Sequence, residues 1–356
     1  MGGSAVVASG VREDGELRAG IARWLDRYGL VIAGTHEIVD GPFTVGPLSR
    51  PATGLSSDTS FVTATTTDGQ EHHLVVRLAP AGDGLFRRYD LGAQVLTQNA
   101  LDRSGIPTAA PARFEADRSW LGDPFMVMPR IPGRVVDTRP SYLRAGWLVD
   151  SDPSFQTALL DDFLRTLAGL HGENPAIVDA PVVAAADAFA DACHYLDWAS
   201  TGGVIPEYLV EARAWCAREV PVSTSLPSVL WGDVQFANCV FTEAGAVAAL
   251  LDFELSGAGP AEMDLGWFLA LHDMTANLAG GDLPGFGDRR SMVASYETAL
   301  GRAVEALDWY EMFALLRSGS IMVRMARLLS RQGIDDGWLY RDNPTEAAVA
   351  RVRARG

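Results

Sequence analysis

The chain has 356 residues, of which 48% are hydrophobic, and this length exceeds what one compact core usually organises, so two domains are expected. Its 45 acidic and 29 basic residues give a formal net charge of −16, which excludes a general nucleic-acid binder because such proteins need a basic face. All 29 basic residues are arginines, and the sequence contains no lysine.

The first residues and the cysteines predict a cytoplasmic protein that is neither exported nor bound to a membrane. Residues 1–20 lack a cationic start followed by an apolar core, and no stretch approaches the ~18 apolar residues of a membrane span. Cys193, Cys216 and Cys239 form no C-x-x-C pair and no spacing typical of a zinc site or a disulfide framework. A reduced compartment is therefore expected. The sequence does not indicate an oligomeric state.

Residues 1–130 predict a small antiparallel sheet with one helix across it, preceded by an opening helix. Helical spacing of apolar residues over 15–29 predicts that first helix, with Gly29 at its C-cap. Two β-rich runs flank Asp68-Gly69, a pair typical of a two-residue hairpin turn. A helix is predicted over 85–105, ending at Gly105, and a strand, a turn and a second strand follow before the Pro/Gly break near 132.

Residues 131–356 predict a larger, mainly helical domain. Its predicted helices cover 154–171, 185–200, 206–219, 261–275, 288–304, 308–332 and 344–355. Two short strands, 238–241 and 247–251, interrupt them and are joined by a turn at Glu243–Gly245. The expected fold class is therefore α+β, with a small sheet lobe and a larger helical lobe.

The segment "WGDVQFANCVF" and the following "LLDFEL" carry the chemistry. Gly, Asp and Asn are residues that turns prefer, so Asp233 and Asn238 alone are ambiguous. An antiparallel hairpin, however, returns Asp252 to the neighbourhood of Asn238. Carboxylate and amide oxygens are the ligands that Mg²⁺ takes in small numbers beside substrate phosphates. Asp233 is then free to accept a proton from an attacking hydroxyl.

These segments, together with "LSGAGPAEMDLGWFLALH", resemble the aminoglycoside phosphotransferase family, whose members have a bilobal protein-kinase-like fold. The resemblance covers most of the chain, and is greatest for the branch that includes phosphotransferase domains fused to certain acyl-CoA dehydrogenases. It implies that Asp233 is the catalytic base, that Asn238 and Asp252 bind Mg²⁺, and that Asp264 braces the catalytic loop. A plain first-turn acid at a helix start is the alternative for Asp264.

In the small lobe the resemblance implies a nucleotide site for ATP, with GTP left open. The matching positions are Gly54, Ser56, Ser57 and Asp58 in a loop over the phosphates, Arg77 as the phosphate-binding cation, Gln94 as its helix partner, and the main chain of Met128 and Arg130 against adenine. Each has a simpler interpretation: a generic turn for "TGLSSDTSF", a surface charge for Arg77 and a polar helix position for Gln94.

Three positions depart from the family pattern. Arg77 stands where relatives usually have Lys, and a planar guanidinium can bind phosphate with two hydrogen bonds. Gln94 stands where a Glu often pairs with that cation, so a charged hydrogen bond replaces the ion pair. Trp231 stands where many relatives have His, a mainly structural position in kinase-like folds. His171 and His194 are isolated on helical segments and are interpreted as structural.

The sequence therefore predicts a small-molecule kinase that transfers the γ-phosphoryl group of ATP to a hydroxyl of an unidentified acceptor, with Mg²⁺ as cofactor. Two alternatives remain open. One is a phosphohydrolase in which Asp233, Asp252 and Asp264 hold metal over a phosphoester, although a hydrolase has no need for a phosphate loop and a hinge. The other is a nucleotide-binding protein with weak catalysis, which the replacements at Arg77 and Gln94 leave open.

Overall fold

The computed structural model describes residues 13–32, 37–50, 58–80, 83–178, 180–222, 225–341 and 343–355. Contacts along the chain divide it into an N-terminal unit, Met1–Ile131, and a C-terminal unit, Pro132–Gly356. The boundary lies one residue from the position that the Pro/Gly break at Pro132-Gly133 indicates in the sequence.

The N-terminal unit is a five-stranded antiparallel sheet with two helices. Its helices are α1 (Asp14–Tyr28) and α2 (Leu91–Arg103), and its strands are β1 (Leu30–Val31), β2 (Ile38–Val39), β3 (Thr44–Val45), β4 (Asp58–Thr65), β5 (Glu71–Leu78), β6 (Arg113–Glu115) and β7 (Phe125–Pro129). The five strands follow the order β3-β4-β5-β7-β6, while β1 and β2 pair separately. Buried Leu17, Ile21 and Trp24 of α1 pack with Val62 and Val76 of the sheet.

Two local predictions in this unit were wrong in detail. The helix expected within 85–105 begins only at Leu91, because the Asp90 side chain accepts a hydrogen bond from the Ala93 N–H at 2.8 Å and caps the first turn. The β4–β5 hairpin turn is longer than two residues. Thr66 N–H donates to the Gln70 carbonyl at 3.0 Å, and Gly69 takes a φ of 87° inside the turn.

The C-terminal unit is mainly helical, with two short antiparallel strand pairs. Its helices are α3 (Pro153–Gly172), α4 (Ala185–Ala199), α5 (Glu207–Cys216), α6 (Glu262–Ala279), α7 (Arg289–Leu300), α8 (Leu307–Ser330) and α9 (Pro344–Arg355), and its strands are β8 (Ser228–Leu230), β9 (Cys239–Phe241), β10 (Val247–Leu250) and β11 (Gly257–Gly259). Strand β9 pairs with β10, as predicted, and β8 pairs with β11 in addition. The Gly-rich β11 carries little strand signal in its sequence, which explains why that second pair was missed.

The core of this unit lies around α6 and α8, which are buried on most of their faces. Gly266 permits their close approach, since a Cβ at that position would lie 2.7 Å from the Tyr310 carbonyl carbon. Phe163 of α3, Phe236 of the β8–β9 segment and Phe268 of α6 pack together with ring centroids 4.6–5.5 Å apart. Helix α6 therefore lies directly beneath the loop that contains Asp233.

Among the helices of the described ranges, none combines the length and the apolar composition that crossing a bilayer requires.

Candidate active site

Asp264 holds the backbone of the loop that precedes Asp233. It lies in the first turn of α6 and is 1% exposed. One carboxylate oxygen accepts from the Trp231 N–H at 2.6 Å and the other from the Gly232 N–H at 3.0 Å. Both oxygens of the Asp264 carboxylate therefore bind the loop. These are charge-assisted bonds in a dry environment, where they are strong.

His171 and Tyr296 complete the buried network around Asp264. His171 Nε2 lies 3.1 Å from Asp264 Oδ2, and its Nδ1 lies 2.5 Å from the Tyr296 hydroxyl. A carboxylate only accepts, so Nε2 carries the hydrogen and Nδ1 accepts from Tyr296. Burial, and next the charge of Asp264, raise the pKa of Tyr296, which keeps it a neutral donor. The sequence interpretation of His171 as structural agrees with these contacts.

Asp233 is surrounded by donors. Oδ1 accepts from the Trp267 indole N–H at 3.0 Å, and Oδ2 accepts from the side-chain amides of Gln235 and Asn238, both at 2.8 Å. Burial raises the pKa of this carboxyl group, and the nearby charge of Asp252 raises it further, while the three hydrogen bonds oppose the shift. A raised pKa and a held orientation are the properties of a carboxylate general base.

The β9–β10 hairpin brings Asp252 back to Asn238. Cys239 pairs with Leu250 in register, and one step further the Leu251 N–H donates to the Asn238 carbonyl at 2.8 Å. Asp252 follows immediately, with a φ of 60°. This left-handed conformation is uncommon outside glycine, and Asp is one of the residues that tolerates it. This conformation turns the chain sharply at Asp252, which the sequence predicts to be a metal ligand.

The donor set at this hairpin fits Mg²⁺. Asn238 donates through Nδ2 to both the side chain and the backbone carbonyl of Asp233, so its amide orientation is set. The other amide atom of Asn238, Oδ1, is a hard oxygen, and Asp252 lies close enough to Asp233 for its charge to raise the pKa of that carboxyl group. The same ranges contain no group of three or more His, Cys, Asp or Glu side chains arranged around a metal position. Two protein oxygens suffice for Mg²⁺, because it keeps waters and binds substrate phosphates.

Trp231 and Gly232 shape the loop between Asp264 and Asp233. The fully buried Trp231 indole donates to the Leu251 carbonyl at 2.7 Å, which ties the loop to the residue before Asp252. Gly232 has a φ of 91°, and a Cβ there would lie 2.1 Å from the Leu255 carbonyl oxygen. Only glycine meets both conditions. The replacement of His by Trp thus retains a side-chain donor at this position.

Arg317 of α8 is a site residue that sequence reasoning missed. Its guanidinium lies 5.1 Å from the Trp267 ring centroid, and Trp267 is the indole that binds Asp233. Burial lowers the pKa of Arg317, whereas the charges of Asp264, Asp233 and Asp191 oppose that shift. The segment "YEMFALLRSG" contains this arginine, but nothing in that segment indicates that it lies beside Trp267.

In the N-terminal unit, Arg77 is a buried strand residue and not a surface charge. It lies on β5, opposite Thr59 of β4 and Met126 of β7, and is 6% exposed. Asp58 begins β4, with a carboxylate oxygen 3.7 Å from Arg50 Nε. Gly54, Ser56 and Ser57 lie outside the described residues.

The charged hydrogen bond expected at Gln94 is not formed. Gln94 lies in the first half of α2 and is 4% exposed, yet its Oε1 has no hydrogen-bond partner in the described part of the protein. A neutral carboxamide attracts a guanidinium much less than a carboxylate does. The predicted pairing of Arg77 with Gln94 was therefore wrong for this structure.

Met128 and Arg130 lie on and just beyond β7, next to β5. Met128 pairs in register with Val75, and the Arg130 N–H donates to the His73 carbonyl at 2.9 Å. That amide is therefore engaged within the sheet, and adenine would have to meet other main-chain atoms of the segment. The Arg130 guanidinium lies 4.7 Å from the centre of the Phe61 ring.

Comparison with known proteins agrees with this geometry. Residues 48–331 match the model of the phosphotransferase enzyme family. The chain is 25% identical over 202 residues to acyl-CoA dehydrogenase family member 11 of Pongo abelii and 28% identical over 207 residues to that of Gallus gallus. Each match covers 54% of this chain and 24% of the relative, so the chain spans about a quarter of the length of those relatives.

Solved structures share the fold. A protein of Ralstonia eutropha assigned as an aminoglycoside phosphotransferase superposes with a TM-score of 0.71 at 20% identity, covering 94% of this chain and 98% of its own. Macrolide 2'-phosphotransferase type I superposes with a TM-score of 0.54 at 17% identity, covering 95% of this chain and 96% of its own. Choline kinase of Streptococcus pneumoniae superposes with a TM-score of 0.56 at 14% identity, covering 87% of this chain and 94% of its own. The predicted α+β, protein-kinase-like fold is confirmed, and the chain belongs to the phosphotransferase enzyme family.

Proposed function

We propose that the protein is a small-molecule kinase that transfers the γ-phosphoryl group of ATP to a hydroxyl group of its acceptor. The observation that carries this proposal is the meeting of Asp233, Asn238 and Asp252 at the end of one hairpin. Their separate roles follow from their contacts: an oriented, buried carboxylate for the base, and an amide oxygen and a second carboxylate for the cation.

In this mechanism Asp233 accepts the proton of the acceptor hydroxyl as that oxygen attacks the γ-phosphorus. The new O–P bond forms while the bond between the γ-phosphorus and the β–γ bridging oxygen breaks, and ADP leaves. Trp267, Gln235 and Asn238 hold the Asp233 carboxylate so that it needs no reorientation. Mg²⁺ held by Asn238 and Asp252 would neutralise phosphate charge.

A phosphohydrolase with Asp233, Asp252 and Asp264 as joint metal ligands is disfavoured. Both oxygens of Asp264 accept hydrogen bonds from loop amides, and Oδ2 also meets His171. A metal at Asp264 would displace these bonds and leave buried N–H groups without acceptors, which is costly. The nucleotide-binding protein with weak catalysis differs from the kinase only in turnover and is separated by the same experiment.

The test is an ATP-consumption screen, corrected for free phosphate release, over hydroxylated metabolites and aminoglycosides. Wild type should produce ADP and a phosphorylated acceptor only with Mg²⁺. Asp233→Asn should retain ATP affinity and lose about 10²–10⁴-fold in turnover, because the base contacts the acceptor and not the nucleotide. Asp252→Ala should weaken Mg²⁺-dependent ATP binding.

A matched control is Asp187→Asn, an exposed first-turn aspartate of α4, which should behave as wild type. Unchanged turnover of Asp233→Asn with a verified acceptor would refute the base assignment. Free phosphate as the main product would favour the hydrolase.

A further inference from the structure

A cavity of about 510 Å³ lies within the C-terminal unit, next to the proposed base. Gln235 lines it and also donates to Asp233, while Phe268, another lining residue, follows Trp267, whose indole binds Asp233. The volume lies within the usual range of small-molecule sites, roughly 300–1,000 Å³. A molecule in this cavity therefore lies one side chain away from the carboxylate that would take its proton.

The chemistry of the walls is unlike that of the chain as a whole. The protein carries 45 acidic residues, yet no Asp or Glu is among the 16 residues that line the cavity. Apolar side chains form half of the lining, among them Phe236, Phe268, Leu271 and Leu278. The charged side chains in the lining are arginines.

Two arginines, Arg139 and Arg144, line the cavity. Arg144 donates to the Leu278 carbonyl at 2.5 Å, which holds its side chain across the end of α6. Arg139 is exposed and, within the ranges that the structure describes, makes no hydrogen bond or ion pair. A guanidinium without a partner at the edge of an apolar cavity attracts a carboxylate or another anion.

A tyrosine and a histidine form part of the polar wall of the cavity. The Tyr142 hydroxyl lies 3.1 Å from His272 Nδ1, and His272 Nε2 lies 2.7 Å from Asp282. Burial and then the charge of Asp282 raise the pKa of Tyr142, so it does not ionise near neutral pH. The Asp282 carboxylate is engaged by His272 and does not line the cavity, so a bound cation would not contact it directly.

Resting on the proposed kinase function, we infer that this cavity binds the acceptor and that the acceptor is a hydroxylated aliphatic carboxylate. Its chain would lie against the Phe and Leu side chains, its hydroxyl would point towards Asp233, and its carboxylate would meet Arg139. A polycationic aminoglycoside does not fit these walls. Its ammonium groups would lose water to apolar side chains and face two arginines, with no lining carboxylate to compensate.

The binding experiment uses the full-length protein and a series of hydroxy acids of four to ten carbons, their methyl esters and one aminoglycoside. Calorimetric titration without ATP should show affinity rising about three- to fourfold per added methylene until the cavity is filled. Each ester should bind about three- to tenfold more weakly than its acid. The aminoglycoside should show no binding at concentrations that saturate the best acid.

Two variants locate the ligand. Arg139→Gln should remove most of the difference between acid and ester, whereas Arg290→Gln, an equal charge change at an exposed position outside the cavity, should not. Leu271→Glu should weaken every acid and leave ATP affinity unchanged. Affinity independent of chain length, aminoglycoside binding as tight as that of the best acid, or equal effects of both arginine variants would overturn the inference.

Phosphoryl transfer, followed by ³¹P NMR with Mg²⁺ and ATP, separates the two proposals. Acids that bind as described but are never phosphorylated would refute the kinase and leave the cavity assignment intact. Transfer to another acceptor that is insensitive to Leu271→Glu would support the kinase and refute the cavity assignment. Absence of both binding and transfer for the whole series would also refute the assignment.

Discussion

The buried polar groups around Asp233 in the helical unit and the buried Gln94 of the sheet unit differ in their hydrogen bonding. In the helical unit Asp233 and Asp264 each accept at least three hydrogen bonds, from partners on α3, α6 and the loop itself. In the sheet unit Gln94 buries a carboxamide oxygen with no partner among the described residues. The loop around Asp233 is thus preorganised by its hydrogen bonds, and the difference predicts how sharply each of these positions responds to substitution.

The largest effect is expected at Asp264. Asp264→Asn places an amide against the N–H groups of Trp231 and Gly232 and leaves a buried donor without an acceptor. The free energy of unfolding should fall by about 3 kcal/mol, and turnover should fall at least tenfold, because the loop loses its anchor. Urea unfolding and initial rates measure the two effects. Asp187→Asn, an exposed first-turn aspartate of α4, is the control, and equal small losses in both variants would contradict the anchoring role.

The second effect tests whether Arg77 of the sheet unit binds the phosphates of the nucleotide. If Arg77 binds phosphate, Arg77→Ala should weaken ATP by about ten- to a hundredfold and adenosine much less, because one charge-assisted contact is lost. Arg77→Lys should retain more ATP affinity than Arg77→Ala but less than the wild type, since an ammonium lacks the planar fork of a guanidinium and Gln94 offers it no carboxylate. Calorimetric titration measures the affinities of the wild type and of both variants for ATP and for adenosine.

The control for Arg77 is Arg118→Ala, an exposed position of the same unit. Equal losses for ATP and adenosine would indicate a folding defect at a residue that is 6% exposed. No loss for either ligand would leave the sheet unit without an identified phosphate anchor and favour the nucleotide-binding protein with weak catalysis.

The third effect concerns the pH dependence of stability at Asp233. Its pKa is raised by burial and by Asp252, so the folded protein keeps the proton to a higher pH than the unfolded chain, where Asp titrates near ~4. Between these two pKa values the unfolded state releases the proton first, and stability falls as pH rises, by at most about 1.4 kcal/mol per pH unit. The Asp233→Asn variant has no carboxyl group that titrates at this position, so this loss of stability with rising pH is absent from it.

The unfolding free energy of Asp233→Asn relative to wild type should therefore increase with pH above about 4 and level off above the raised pKa. Urea unfolding of both proteins in metal-free buffer from about pH 4 to about pH 8 measures the difference. A difference that stays constant across this range would show that Asp233 titrates as an ordinary carboxyl group.

The smallest effect compares two glutamines of α2. Gln94→Leu should leave stability unchanged or increase it by up to about 1 kcal/mol, because an unpaired buried oxygen is removed. Gln98→Leu should cost about 1–3 kcal/mol, since Gln98 is equally buried but donates to the Ala109 carbonyl. Thermal unfolding of the pair measures this contrast. A larger loss at Gln94 would reveal a partner there.

The same contrast explains what the sequence could predict. Asp233, Asn238 and Asp252 lie within twenty residues joined by one hairpin, so local pattern and antiparallel geometry bring them together. Arg77 and Gln94 lie on separate elements, and whether their side chains meet depends on packing that no local pattern encodes. The hydrogen bonds of Asp264 to the loop were expected only from family resemblance, and their supporting chain through His171 and Tyr296 joins three helices far apart in sequence.

Arg317 and the cavity beside Asp233 were invisible for a related reason. Arg317 comes from α8, and the cavity walls come from residues near 140, near 235 and from α6. Net charge describes a whole surface and does not predict the charge of the walls of one cavity. A local absence of carboxylates in an acidic chain becomes visible only when the residues are placed in space.

The bonds from Trp231 and Gly232 to Asp264 have a consequence for hydrogen exchange. Loops usually exchange their amide protons quickly, but these two amides donate to a carboxylate that is 1% exposed. Their exchange requires the α6 core to open, so their protection should approach that of the central helices. The segment beside the base behaves as core in this respect, and substitutions there are constrained by folding as strictly as by chemistry.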